Sequence, residues 1–286
     1  MENYYRLKSS NIMPKFGIGT WGMGEKEESR EKEIDTIVFA LQNGIRLIDT
    51  AEMYGNGEAE RLVGDALKKV EYKREELYII SKVYPHNAGK DNIFNSLESS
   101  LKRLNLNYLD MYLLHWRGRV PLSETVECME KAKKDGLIKD WGVSNFDVDD
   151  MKELKYVKDG DKCTANQVLY HLGSRGIDFD LAPYMKKNNI ALIAYCPLAQ
   201  AGRLGKDILK NNVLISVAKK HNASPAQIAL AFISTFENRI PIPKSSNKKR
   251  TLENIESQNI MLSDEDIDIL NKEFPEPNKK IPLDIV

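Results

Sequence analysis

The stretch Arg46-Leu-Ile-Asp-Thr-Ala-Glu-Met-Tyr-Gly55 joins a short apolar strand to two polar side chains that are costly to bury. Arg46 to Asp49 is predicted to be a strand, and Asp49 closes it. Tyr54 follows five residues later, in the loop. Because a carboxylate at the end of a buried strand needs a partner, and a phenol lies just beyond it, this stretch is predicted to carry chemistry.

The rest of the chain repeats one unit, a short apolar strand followed by a longer amphipathic helix. In the first helix, Ile34, Ile37 and Leu41 recur at helical spacing, and Asn43-Gly44 is typical of a helix end. A further apolar helix opens at Ser224-Pro225, with the serine as N-cap. The predicted strands are a segment ending at Thr20, Arg46 to Asp49, Glu76 to Lys82, Tyr108 to His115, Ile138 to Ser144, Thr164 to Val168, Ile190 to Tyr195 and Arg239 to Pro243. The predicted helices between them are Arg30 to Gln42, Glu58 to Val70, Asn92 to Leu104, Ser123 to Lys134, Val148 to Val157, Leu181 to Asn188, Leu214 to His221 and Lys248 to Gln258. Eight such units predict an α/β fold, a single (β/α)8 TIM-barrel domain over residues 1–286.

A polar residue closes each predicted strand, at intervals close to the length of one strand and helix. These residues are Thr20, Asp49, Lys82, His115, Asn145, Gln167, Tyr195 and Lys244. Regular spacing places them at one level, the C-terminal mouth of the barrel, where the active sites of this fold lie. The longer last interval leaves room for a lid over the mouth, predicted at residues 199–212. Before the barrel, residues 4–20 are predicted to form an N-terminal β-hairpin around Asn11 to Pro14.

A competing interpretation is a Rossmann dinucleotide-binding fold. Gly17-Ile-Gly-Thr-Trp-Gly22 matches Gly-x-Gly-x-x-Gly, and Asp49 ends the next strand. That motif normally opens directly into a helix after an uninterrupted strand. Here Met23 to Lys26 intervenes, and Pro14 and Lys15 interrupt the preceding strand. The barrel is therefore favoured, and the Rossmann fold is the less favoured alternative.

Composition narrows the class of protein. The 42 basic and 42 acidic side chains cancel, so no excess charge points to nucleic acid or to an anionic membrane surface. The N-terminus lacks the apolar stretch of a signal peptide, and no segment approaches the ~20 apolar residues of a membrane span. Cys128, Cys163 and Cys196 lack CxxC spacing, which favours reduced thiols over disulfides or a structural zinc. We expect a cytoplasmic monomer that binds no metal, no nucleic acid and no membrane.

Asp49, Tyr54, Lys82 and His115 are the candidate catalytic residues. A buried Lys82 needs a counter-ion, which Asp49 at the end of the neighbouring strand supplies. A cationic Lys82 is expected to favour the phenolate of Tyr54 and to lower the phenol's pKa from its ordinary value of about 10. His115 would polarise a substrate carbonyl or share the proton. Taken singly, each residue also has an ordinary structural interpretation. Together they predict a site that protonates an alkoxide as an aldehyde or ketone is reduced.

Six segments of the chain are specific in combination. They are Gly17-Ile-Gly-Thr-Trp21, Ile48-Asp-Thr-Ala-Glu-Met-Tyr-Gly55, Ile80-Ser-Lys82, Leu109-Asp-Met-Tyr-Leu-Leu-His115, Gly142-Val-Ser-Asn145 and Ile242-Pro-Lys-Ser245. On these segments the chain resembles the aldo-keto reductases over essentially its whole length. The resemblance implies that Tyr54 is the general acid, that Lys82 and Asp49 tune it, and that His115 orients the substrate. A cofactor-sensing binding protein on the same fold, with little turnover, as in the potassium-channel β subunits, stays open as an alternative.

The resemblance further implies the cofactor NADPH (or NADP⁺), extended across the mouth of the barrel. Ser144, Asn145 and Gln167 match the positions that hydrogen-bond the carboxamide, and Tyr195 matches the ring that stacks on the nicotinamide. These residue types suit that ligand, because an amide needs donors and acceptors and a flat ring needs an aromatic face.

The segment Lys244-Ser-Ser-Asn-Lys-Lys-Arg250 resembles the part of the family that holds the adenosine phosphate. Ser246 or Asn247 would cap the following helix and leave its amide groups open to an anion, while Lys244 and Arg250 supply positive charge. Taken alone, the segment also fits a solvated basic turn. The other implied cofactor contacts are Thr20, Trp21, Asp49, Pro197, Leu198, Ser245, Glu253 and Asn254.

The substrate is expected to be a small carbonyl compound. The predicted substrate contacts are Trp21, Tyr54, His115 and Trp116. The lid near Gln200 would complete an apolar wall. The tail after Phe274 is shorter than the loop that closes the pocket in steroid-type relatives, so an open pocket is expected. Residues 195–203 resemble bacterial members that act on compounds such as methylglyoxal.

Overall fold

The structure, a computed structural model, describes residues 3–199 and 205–286. It begins with an antiparallel hairpin of β1 (Tyr4–Arg6) and β2 (Ile12–Pro14). Tyr5, Leu7 and Met13 of this hairpin are buried among side chains from the interior of the barrel. The predicted N-terminal hairpin is therefore confirmed, and it covers one end of the barrel.

Eight parallel strands follow, and each pairs with the next strand in the sequence. They are β3 (Gly17–Gly19), β4 (Leu47–Asp49), β5 (Tyr78–Val83), β6 (Leu109–Leu114), β7 (Ile138–Ser144), β8 (Ala165–Leu169), β9 (Ala191–Tyr195) and β10 (Arg239–Pro241). The amide of Gly19 donates a hydrogen bond to the carbonyl oxygen of Pro243 at 3.3 Å, which joins β3 to the segment after β10. The sheet is thus a nearly closed (β/α)8 barrel, as predicted. The Rossmann alternative is wrong, because a Rossmann fold is built on an open sheet.

The helices surround the barrel. They are α1 (Glu27–Gln42), α2 (Glu58–Leu67), α3 (Ile93–Leu104), α4 (Leu122–Lys134), α5 (Val148–Tyr156), α6 (Leu181–Lys187), α7 (Asn212–Lys220), α8 (Pro225–Ser234), α9 (Lys248–Glu256) and α10 (Asp264–Glu273). The sequence analysis missed α10, although its start signal is present. The Ser263 side chain accepts a hydrogen bond from the amide of Asp266, and the Asp266 carboxylate accepts one from the amide of Ser263. That reciprocal pair resembles a capping box, a signature of a helix start.

Two predicted strand boundaries differ from the observed ones by two residues, and the others agree to within one residue. The strand predicted from Glu76 begins at Tyr78, because Arg74–Glu76 forms a 3-10 turn. The strand predicted to end at Pro243 ends at Pro241, although the next residue still bonds to β9 through a hydrogen bond from the amide of Ile242 to the carbonyl oxygen of Ala194 at 3.1 Å. Neither difference moves a polar side chain away from the mouth.

The strands are buried on both faces, as expected for a parallel barrel. Inside it, an apolar cluster fills the space between the strands; its members include Leu47, Ile80, Met111, Leu113 and Ile193. Outside it, a larger cluster packs the helices against the strands. The barrel interior is therefore filled below the mouth, which leaves the mouth as the place for a ligand.

The lid predicted at residues 199–212 is only partly described, because residues 200–204 lie outside the described residues. Gly205–Lys210 forms a 3-10 helix, and Ile208 packs into the apolar cluster of α7, α8 and α10. Among the described residues, no helix is long and apolar enough to cross a bilayer. Within the same ranges, no group of three or more His, Cys, Asp or Glu is placed to hold a metal ion.

Candidate active site

Lys82, from β5, lies at the centre of the candidate site. Its Nζ donates hydrogen bonds to Asp49 Oδ2 at 2.8 Å, to the backbone oxygen of Thr50 at 2.9 Å and to Tyr54 Oη at 3.0 Å. Asp49 ends the neighbouring strand β4, and Tyr54 begins the 3-10 turn that follows it. All three N–H donors of the ammonium group are therefore used, and one of them holds the phenol oxygen.

The Lys82–Asp49 ion pair is almost completely removed from water, with 0% of the lysine and 2% of the aspartate side chain exposed. Burial raises the pKa of Asp49 and lowers the pKa of Lys82, while their mutual attraction opposes both shifts. The Gln167 Nε2 amide adds a hydrogen bond to Asp49 Oδ1 at 2.7 Å. Each charge thus has partners for its polar atoms, which a buried ion pair requires.

Tyr54 differs from the sequence-based expectation. Burial, with a smaller contribution from the negative charge of Asp49, raises the pKa of Tyr54 well above its ordinary value of 10.0. The expected lowering of this pKa by Lys82 is therefore wrong for the site as it stands, because the cost of burying a phenolate exceeds the benefit of the nearby ammonium group. At neutral pH the phenol keeps its proton, which is the state that a proton donor needs.

His115 follows β6 and lies beside Tyr54, with the two ring centroids 5.7 Å apart in an edge-on arrangement. Burial, and to a smaller extent the charge of Lys82, lowers the pKa of His115 to about 3. The imidazole is therefore neutral at physiological pH. Its Nδ1 is buried and has no hydrogen-bond partner among the described residues.

Asp49, Tyr54 and His115 line a cavity of about 540 Å³ at the barrel mouth, and Lys82 does not reach its surface. The lining residues are Gly19, Trp21, Gly22, Glu25, Asp49, Met53, Tyr54, His115, Trp116, Ser144, Asn145, Gln167, Tyr195, Cys196, Pro197, Ile242, Lys244 and Val286. Trp21, Met53 and Trp116 are exposed large apolar side chains among them. The cavity thus has polar residues at the level of Asp49 and an apolar rim.

The four residues predicted to hold the nicotinamide all line this cavity, and hydrogen bonds join them in two pairs. Tyr195 Oη donates to Asn145 Oδ1 at 2.8 Å, and Ser144 Oγ donates to the backbone oxygen of Gln167 at 2.9 Å. The side-chain oxygen of Gln167 and the lone pairs of the Ser144 hydroxyl take no part in these bonds. This donor and acceptor set beside an aromatic ring fits a carboxamide-bearing ring.

The predicted phosphate-binding segment lies at the start of α9. Asn247 caps this helix, because its side chain accepts a hydrogen bond from the amide of Arg250 at 3.1 Å. Ser246 takes a different role, since its Oγ donates to Glu33 Oε1 at 3.3 Å. Lys244 lines the cavity, whereas Arg250 is exposed. The capped start of α9 therefore follows β10 closely in the chain, and Lys244, which lies between them, reaches the cavity.

Several predicted contact residues do not line the cavity. Thr20 is fully buried, and its Oγ1 donates to the backbone oxygen of Asp49 at 3.0 Å. The others are Leu198, Ser245, Ser246, Asn247, Arg250, Glu253 and Asn254, and the predicted catalytic residue Lys82 does not line the cavity either. From behind the cavity surface, Thr20 holds the backbone of Asp49, and Lys82 holds the side chains of Asp49 and Tyr54.

Other lining residues were missed by the sequence analysis. Gly22 and Glu25 follow the Gly17 segment, and Met53 precedes Tyr54, so proximity in the chain was a usable signal for these three. Val286 carried no such signal. It reaches the cavity because the tail folds back along the barrel, where Lys280 forms ion pairs with several aspartates. The pocket is therefore less open on the side of Val286 than the short tail after Phe274 had indicated.

Cys196 also lines the cavity, directly after β9, where its backbone is left-handed with a φ of 49°. Burial raises the pKa of this thiol to about 11, so it is uncharged at neutral pH. Because the thiolate is the reactive form, Cys196 forms part of the wall and is not a nucleophile in this state.

The family of the chain follows from comparison with known proteins. The model of the aldo/keto reductase family matches residues 15–273. The chain belongs to this family. It is 45% identical over 274 residues to methylglyoxal reductase YeaE of Escherichia coli, covering 96% of this chain and 95% of that protein. It is 38% identical over 277 residues to glyoxal reductase of Bacillus subtilis, covering 96% and 94%.

Solved structures agree with the fold of this reductase. An aldo-keto reductase from Klebsiella pneumoniae, crystallised in complex with NADPH, is 42% identical and superposes with a TM-score of 0.95. The match covers 100% of both chains. The barrel and its connections are thus those of a family member over the full length compared.

Proposed function

We propose that this reductase transfers a hydride from NADPH to the carbonyl carbon of small aldehydes and ketones, 2-oxoaldehydes above all, and that Tyr54 donates the proton. As an aldo/keto reductase, the chain is an NADP-dependent oxidoreductase acting on carbonyl groups. The observation that carries the finer proposal is the 3.0 Å hydrogen bond between Lys82 Nζ and Tyr54 Oη beside the cavity. It supports Tyr54 because it links the phenol to the buried cation.

The residues around the cavity fit the cofactor. Ser144, Asn145 and Gln167 would hold the carboxamide, Tyr195 would stack on the ring, and the start of α9 would take the adenosine phosphate. When bound, NADPH supplies the hydride. The protein orients the two reactants, excludes water and donates the proton.

Proton transfer is assigned to Tyr54 because it is protonated at neutral pH and lies at the cavity wall. As the carbonyl carbon is reduced, negative charge develops on the oxygen and the phenol gives its proton to it. The phenolate left behind lies against Lys82, whose positive charge stabilises it, and Asp49 keeps that lysine charged. The neutral His115 orients the carbonyl oxygen by a hydrogen bond.

The proposed substrate class follows from the size and composition of the mouth. Trp21, Met53, Trp116 and Val286 supply apolar surface around the polar residues, and the cavity must hold the reactive end of the cofactor as well. A small, partly apolar carbonyl suits the remaining space. The names of the bacterial relatives, a methylglyoxal and a glyoxal reductase, support 2-oxoaldehydes.

Steady-state oxidation of NADPH across a panel of carbonyl compounds tests the substrate class. The panel contains methylglyoxal, glyoxal, aromatic aldehydes, open-chain sugars and steroid ketones, with NADH as the cofactor control. We expect the highest kcat/KM for the 2-oxoaldehydes. A clear preference for steroids or sugars would contradict the proposed class and leave the proposed chemistry intact.

Replacing Lys244 and Arg250 by methionine is expected to raise the KM for NADPH at least about tenfold while changing kcat little. Both side chains carry charge near the start of α9, and each charge-assisted hydrogen bond to a phosphate contributes about 1.5–3 kcal/mol. Lys102→Met, which removes a positive charge from the exposed face of α3, is the control. An unchanged KM for NADPH in the double variant would refute the assignment of the phosphate site.

A further inference from the structure

A buried ion pair lies behind the catalytic group, outside the cavity. Glu60 of α2 is completely buried, and its Oε2 accepts a hydrogen bond from Nε of Arg103 of α3 at 2.6 Å. Its other oxygen accepts a hydrogen bond from Ser81 Oγ at 2.5 Å. Ser81 immediately precedes Lys82 in β5, so this pair is attached to the strand that carries the catalytic lysine.

The same arginine also supports the turn that carries Tyr54. After Tyr54, three consecutive residues are left-handed, with φ values of 55° at Gly55, 53° at Asn56 and 88° at Gly57. Such a backbone is costly for a residue with a side chain, and it persists only where its surroundings hold it. Arg103 lies directly against the last of these residues, since a Cβ on Gly57 would lie 2.6 Å from both Cδ and Nε of the arginine.

Arg103 and Glu60 therefore contact both halves of the catalytic pair from behind. Arg103 touches the turn that positions Tyr54, and Glu60 holds the residue next to Lys82. Arg103 Nη2 also donates to Ser100 Oγ at 3.1 Å, which fixes the arginine to its own helix. Neither Glu60 nor Arg103 lines the cavity.

We infer that Arg103 and Glu60 are positioning residues, which set the distance and angle between the Tyr54 hydroxyl and the Lys82 ammonium group. The inference rests on the proposed role of Tyr54 as proton donor. Proton transfer is sensitive to such geometry, because small displacements of a catalytic group lower the rate strongly even when binding is retained. The pair should therefore affect kcat and not the binding of either substrate.

The test uses the full chain with NADPH and methylglyoxal. In Arg103→Met the stem of the side chain remains and the guanidinium group is lost, and we expect kcat to fall at least about tenfold. The KM for methylglyoxal and the Kd for NADPH should stay within about twofold of wild type. With NADPH deuterated at the transferred position, the isotope effect on kcat should rise, because the chemical step becomes slower. A merely structural role would not produce this combination.

Two further variants separate positioning from folding. Arg103→Lys restores a positive charge beside Glu60, and its kcat should lie above that of Arg103→Met. The double variant Glu60→Gln/Arg103→Met leaves no unpaired buried charge, so it folds even if the single variant does not, and its kcat should also be low. Arg61→Met is the matched control, since Arg61 lies on α2 but makes an exposed ion pair with Glu58.

The outcomes distinguish this inference from the proposed function. Wild-type kcat and isotope effect in the folded Arg103 variants would overturn the positioning role. A Tyr54→Phe variant is measured in parallel. If it is inactive while the Arg103 variants are normal, only the positioning role fails. If Tyr54→Phe turns over like wild type, the proposed function fails instead.

Discussion

Tyr54→Phe is expected to lose about 10²- to 10⁴-fold in kcat and to bind NADPH as tightly as wild type, because it removes only the proton donor. The ring itself should stay in place. It packs edge-on against His115, and Lys82 Nζ lies 4.6 Å from its centroid. The measurement is kcat for methylglyoxal together with the Kd for NADPH by fluorescence titration.

A control shows whether the loss belongs to this hydroxyl. Tyr156→Phe makes the same change on a side chain that is 90% exposed and lies outside the cavity, and it should retain wild-type kcat. If Tyr54→Phe keeps most of the turnover, another group donates the proton, and His115 would be the next candidate. Loss of NADPH binding would show that the substitution damaged the site more widely.

Lys82→Met is expected to destabilise the protein by about 3–5 kcal/mol, besides removing most of the turnover, because it leaves the buried Asp49 carboxylate without its counter-ion. Burial already raises the pKa of Asp49, and the loss of the lysine raises it further. A carboxyl group whose pKa is higher in the folded protein than in the unfolded chain contributes its full stabilisation only at pH values below its unfolded pKa. That stability is lost as the pH rises through the folded value. The deficit relative to wild type should therefore be larger at pH 8 than at pH 5.

Chemical denaturation of wild type and variant at both pH values measures this difference. The double variant Asp49→Asn/Lys82→Met removes the unpaired charge and should recover a large part of the lost free energy of unfolding at pH 8. An equal deficit at both pH values in Lys82→Met, with no recovery in the double variant, would mean that packing and not charge causes the loss.

The position of the catalytic group could be predicted from the sequence because the barrel repeats. Asp49, Lys82 and His115 each lie at or near the end of a strand, and the regular strand spacing brings them to one mouth. Tyr54 follows Asp49 closely in the chain, so the end of the strand largely determines where Tyr54 can lie. The assignment of catalytic and binding roles to these positions stays a prediction until variants are measured.

Other features could not be predicted because they depend on packing between distant parts of the chain. The pKa of Tyr54 rises mainly through burial of the phenol, although the side chain stays partly exposed at the cavity, and no local sequence pattern reveals this burial. Glu33 of α1 accepts hydrogen bonds from the amide of Gly24 and from Ser246 Oγ, and so joins two loops at opposite ends of the sequence. The contact of Arg103 with Gly57 likewise joins residues that lie far apart in the sequence.

The stoichiometry of repeated turnover tests the central claim most directly. Purified protein is incubated with methylglyoxal and an excess of NADPH over enzyme, and NADPH consumption is compared with the alcohol formed. We expect one alcohol for each NADPH consumed over many turnovers in wild type, and a rate of NADPH consumption that is about 10²- to 10⁴-fold lower in Tyr54→Phe. NADPH binding without sustained consumption for any carbonyl compound would contradict the account and favour a protein that senses the cofactor.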